Sequence, residues 1–112
     1  MQIQEKKVGN ILIVKPSEKR IDASVATDFK GKMIDRINAG NKRIVLNLAG
    51  VDFIDSSGLG AIISSLKAIG NDGDLVICEI KETVMTLFRL TRMNRVFQIT
   101  STEEEALKAL SG

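Results

Sequence analysis

Apolar residues follow two rhythms along this chain, and each change of rhythm marks an element. Residues 2–7 alternate loosely, Gly9-Asn10 makes a turn, and Ile11-Leu12-Ile13-Val14 is a continuous apolar run. This predicts a β-hairpin whose second strand is buried and is broken by Pro16 and Ser17. A short extended piece near Lys19-Arg20-Ile21 leads to Asp22. From Ala23 to Ala39 the rhythm becomes helical. Val25, Phe29, Met33 and Ile37 recur every four residues, with Ala26 and Ile34 beside them and charges opposite. Asp22 or Ser24 caps the start of this helix, and Gly40-Asn41 stops it.

The second half repeats the alternation. Arg43 to Leu48 is a β-branched strand, apolar enough to lie centrally, and Val51-Asp52-Phe53-Ile54 continues the run. Leu59, Ile62, Ile63, Leu66 and Ile69 mark a second amphipathic helix, which Gly70-Asn71-Asp72-Gly73 ends. Asp74 to Ile80 is a strand, Lys81 to Arg92 a helix, and Val96 to Ile99 a short strand. A last helix reaches about Leu110, opened by a capping box of Ser101 with Glu104 or Thr102 with Glu105. Strands alternating with helices imply parallel pairing and right-handed crossovers. The predicted class is α/β: a single domain over residues 1–112, with one mixed sheet packed against helices.

Composition narrows the function classes. The chain has 112 residues, 44% hydrophobic and 27% charged, with 16 basic and 14 acidic side chains for a net charge of +2. That balance offers no electrostatic case for nucleic acid or an anionic membrane, and a monomer fits it. Four Phe are the only aromatics, which leaves little for base stacking. No apolar run approaches the roughly 18 residues needed to span a bilayer, and Met1 to Glu5 is polar and mixed, unlike a signal peptide. Cys78, the one cysteine, lies in a predicted buried strand and is expected to be a core thiol in a reducing cytoplasm. There is no histidine, so no histidine base, triad or metal ligand exists within the chain. No metal, cofactor or catalytic residue is expected.

The densest polar segment is Asp55-Ser56-Ser57-Gly58-Leu59-Gly60, where an apolar run ends and a helical pattern begins. A strand-to-helix turn with an Asp or Ser cap accounts for part of it. A cap alone needs neither glycine, and Gly60 in the first helical turn costs about 1 kcal/mol relative to alanine. A phosphate loop is a second possibility, weakened by Ile63 where the third glycine of a dinucleotide fingerprint would stand. A serine nucleophile is a third, weakened by Asp55 two positions before Ser57 and by the missing histidine. The fourth is a regulated hydroxyl. Phosphorylation would add about −1.5 to −2 charges on an exposed turn, enough to oppose an acidic partner without refolding.

In these residues the chain resembles the STAS domain, and within it the bacterial anti-sigma factor antagonists of sporulation and general-stress partner switching. The resemblance covers residues 3 to 110. Its most specific part is Ile44 to Leu48 followed by Val51 to Gly60. Arg20-Ile21-Asp22-Ala23, Val76-Ile77-Cys78 and Val84-x-x-Leu87-Phe88 also match. The resemblance implies a STAS fold and a phosphorylated residue at Ser57, the second serine of the pair. It implies that the unphosphorylated form binds an anti-sigma factor that is also a serine kinase, freeing the sigma factor. The kinase, using ATP and magnesium, ends the complex by phosphorylation, and a PP2C-type phosphatase restores it. Asp22, Asp55, Ser56, Gly58, Leu59 and Gly60 would lie in the kinase-facing surface, with Asp55 shaping the turn. Related modules control secretion, motility or biofilm instead of a sigma factor, and some STAS domains bind nucleotides or lipids.

Overall fold

The computed structural model describes residues 1–111. The hairpin expected at the start forms from β1 (Ile3–Val8) and β2 (Ile11–Pro16), antiparallel. Pro16 closes β2 and does not follow it. On its other side β2 pairs only through Leu12, Ile13 and Val14, so the missing proline N–H removes no ladder bond. β4 (Arg43–Asn47), β6 (Asp74–Cys78) and β7 (Gln98–Thr100) add in parallel, giving the order β1-β2-β4-β6-β7. A separate two-stranded parallel sheet joins β3 (Arg20–Ile21) to β5 (Phe53–Ile54).

Helices cover both faces of the five-stranded sheet. On one face, Leu12, Val14, Ile44, Leu46, Leu75 and Ile77 meet α1 (Ala23–Asn38), α2 (Ser56–Ile69) and α3 (Glu82–Leu90). On the other, Ile11, Ile13, Val45, Val76 and Cys78 meet Ala106, Leu110 and the partly buried Leu107 of α4 (Glu103–Ser111). This is why β4 is apolar at successive positions: its alternate side chains serve two different cores. Phe29 of α1 and Phe88 of α3 expose no surface, and each contributes on the order of 2–3 kcal/mol by burial. Phe88 also meets Phe97 edge-on, at 5.9 Å between ring centres.

The final strand departs from expectation by about two residues. Val96 was expected to open it, but Met93–Arg95 form a 3₁₀ turn after Arg92 takes a left-handed conformation at φ 61°. The turn carries Phe97 into the core and leaves Val96 exposed, so pairing starts at Gln98. β6 likewise stops at Cys78, two residues before the expected Ile80, because Glu79 turns left-handed at φ 58°. Its carboxylate accepts the Glu103 N–H at the start of α4, 3.1 Å away. Of the two candidate capping boxes, Thr102 with Glu105 forms in a displaced version, its return bond going to the residue before the cap. The Thr102 hydroxyl accepts the Glu105 N–H at 3.1 Å, and the Glu105 carboxylate reaches back to the Ser101 N–H at 3.3 Å.

Candidate functional site

The small sheet determines where the polar segment sits. Pairing Arg20 with Phe53 and Ile21 with Ile54 lays the approach to α1 beside the approach to α2, so two helices begin side by side. Asp22 caps α1. Its Oδ1 accepts the Ser24 N–H at 3.0 Å and the Ser24 hydroxyl at 2.5 Å. The Arg20 guanidinium approaches its other oxygen at 3.5 Å. These contacts, the Ser24 hydroxyl first, hold the Asp22 carboxyl below the ordinary aspartate range.

Asp55 caps α2 and also ties the two helices together. Its Oδ1 accepts the Gly58 N–H at 2.9 Å, and its Oδ2 accepts the Ala23 N–H at the start of α1 at 3.2 Å. One carboxylate thus satisfies a free donor at each helix N-terminus. It is a positioning group with both oxygens engaged.

Gly58 is required by the closeness of this junction. A Cβ there would stand 2.0 Å from the Ile21 carbonyl oxygen and 2.9 Å from Ile54 Cγ2. The glycine lets α2 rest its first turn directly on the β3 backbone. Gly60 differs: a Cβ there would meet nothing within 4 Å. Its missing side chain leaves open a groove of about 280 Å³ between α1 and α2. Ala26, Thr27 and Lys30 line one side, and Ser57, Gly60, Ala61 and Ser64 the other.

The structure separates the six residues and Ser57 into two groups. Ser56 and Ser57 are exposed, and Asp22, Asp55 and Gly60 are partly so. Gly58 and Leu59, expected in the same surface, are buried, Leu59 with 5% exposure. On a helix, positions 58 and 59 turn toward β3 and the core while 57, 60, 61 and 64 share the groove face. Of the two serines, Ser57 lines the groove and Ser56 does not.

Two neighbouring features had no separate signal in the sequence. Arg20 stacks on the half-exposed Phe53 ring, 4.1 Å from its centre. Asp52 pairs with Lys81 at the start of α3, and that hydrogen bond is the main reason its carboxyl lies below the ordinary range. The first follows from the β3–β5 register, and the second from where the start of α3 comes to lie beside Asp52. Cys78 stands apart, buried in β6, with its thiol pushed up to about 12 by burial and by Glu103 and Glu79. It is a core group and not a nucleophile.

No group of His, Cys, Asp or Glu able to hold a metal ion occurs among the described residues, and no described helix is long and apolar enough to cross a membrane. The STAS domain family model matches residues 2–106. The chain is 31% identical to the TM1081 homolog of Thermotoga neapolitana, over 94% of each chain. It is 29% identical to an anti-sigma F factor antagonist of Paenibacillus polymyxa, over 98% of this chain and 95% of that one. The crystal structure of TM1081 from Thermotoga maritima superposes with a TM-score of 0.93 at 30% identity, covering 98% of this chain and 95% of that one.

Proposed function

Because the chain belongs to the STAS-domain family, we propose that it is an anti-sigma factor antagonist, a cytoplasmic binding module switched by phosphorylation of Ser57. The unphosphorylated form binds a cognate anti-sigma factor that is also a serine kinase, and this frees the sigma factor. The kinase transfers the γ-phosphoryl group of Mg-ATP to the Ser57 oxygen. The hydroxyl proton is lost and ADP leaves. A PP2C-type phosphatase hydrolyses the ester and resets the module.

The observation that carries this is an exposed Ser57 on a turn held by Asp55 and Gly58. A hydroxyl on a rigid, accessible turn can enter another protein's active site without local unfolding. Asp22, Ser56 and Gly60 offer the accessible rim, and Asp55, Gly58 and Leu59 set its height from below. Charge alone makes the switch effective. At an effective dielectric near 20, unit charges about 7 Å apart repel by roughly 2 kcal/mol. A doubly charged phosphate facing one partner carboxylate therefore weakens binding about a hundredfold or more.

Incubation with the cognate kinase and Mg-ATP, followed by phosphosite mapping, should place the label on Ser57. The Ser57→Ala protein should stay unlabelled and bind the kinase constitutively, while Ser57→Asp should bind poorly. Labelling of Ser57→Ala at the wild-type level would sink the assignment. Whether the output is transcription or another process follows from whether that kinase also binds a sigma factor, which a pull-down with the unphosphorylated protein reads directly.

A further inference from the structure

The groove beside Ser57 carries one charged side chain, Lys30 of α1. The next lysine on that helix, Lys32, pairs with Asp28 at 3.8 Å. Lys30 has no acidic partner among the described residues. Its neighbours on the groove walls are small or hydroxylic: Thr27 beside it, Gly60 and Ser64 across from it. A cation with no acidic partner among the described residues and an exposed serine thus line the same opening. The opening, about 280 Å³, is large enough for a phosphate, and Gly60 places no side chain in it.

We propose that the α1–α2 groove is an internal seat for a phosphate on Ser57, with Lys30 as its counter-charge. This rests on Ser57 being the modified residue. A phosphorylated Ser57 then lies at the open mouth of the groove, with its outer oxygens and most of its charge still turned toward a docking partner. Lys30 partly neutralises it, and the Thr27 and Ser64 hydroxyls are available as donors. The consequence is a division of labour. Asp55 and Gly58 hold the turn before modification, and Lys30 holds the phosphate after it.

The test installs phosphoserine at position 57 during translation, so that no kinase is needed, and follows the second phosphate ionisation by phosphorus NMR. That ionisation falls near pH 6 when unperturbed, by about the usual value for phosphoserine. A lysine ammonium in contact should lower it by about half a pH unit or more. The Lys30→Gln protein should return it toward the unperturbed value, and Lys30→Arg should keep it low. The Lys32→Gln protein, with the same loss of charge outside the groove, should titrate like the parent. The seat is overturned if Lys30→Gln leaves the titration unchanged or if Lys32→Gln shifts it equally. Failure of the kinase to label Ser57 sinks the proposed switch instead, and the two failures are read in separate experiments.

Discussion

Gly58 and Gly60 stand two residues apart in one helix, and substitution should affect them in opposite directions. Gly58→Ala drives a methyl into the Ile21 carbonyl, a backbone atom that cannot step aside alone. The cost should be about 2–3 kcal/mol, as for overpacked cores, read as a lowered urea midpoint. Gly60→Ala meets open space and should stabilise by about 0.5–1 kcal/mol through helix propensity. Equal effects from the two substitutions would refute the close-approach account. The motif was plain in the sequence, including its two serines, its aspartate and both glycines. Which glycine the fold requires was not plain, because the atom that requires Gly58 belongs to Ile21, 37 positions earlier in the chain. For the same reason sequence patterning could not show that Ser57 faces a groove and Ser56 does not.

At the scale of elements, periodicity identified all four helices and the principal strands, because burial on one face imposes a spacing that the residues must keep. It failed at the ends. Val96 has the look of a strand residue but is displaced by the 3₁₀ turn that seats Phe97. The two-residue strands β3 and β5 are too short to carry any period. α4 depends on its cap to an unusual degree. Among the described residues it is the one helix whose apolar side chains, Ala106, Leu107 and Leu110, pack on the second face of the sheet. Thr102→Ala should therefore destabilise the fold by about 1 kcal/mol. It should also quicken hydrogen exchange in α4 before α1 or α2. A uniform change in exchange across all helices would contradict this local dependence.

For the molecule as a whole, two surface carboxylates, Asp52 exposed and Asp22 partly so, make stability depend on acidity. Asp22 and Asp52 titrate below the ordinary aspartate value in the folded chain, held there by the Ser24 hydroxyl and by Lys81. In the window between the folded and unfolded values the unfolded chain binds more protons, so stability falls as the pH falls. The contribution is fully present above about pH 4, the unfolded value, and is lost as pH drops through the lower folded values. The urea midpoint should decline from pH 5 to pH 3, and a chain with both Asp22→Asn and Asp52→Asn should show a shallower decline. An unchanged slope in that variant would exclude these two groups as the source.

The sequence by itself determined the α/β class, the order of the elements, the apolar core and the polar turn with its candidate serine. Those properties are written in spacing and residue type over short stretches, where local geometry governs. Only the tertiary structure decided what surrounds the turn. Pairing of β3 with β5 brings residues 20–21 against 53–54, sets α1 beside α2, joins Asp55 to Ala23 and opens the groove that Ser57 shares with Lys30. Contacts between segments some 30 residues apart leave no periodic trace in either segment, because each residue meets its own local requirement whatever its distant partner is.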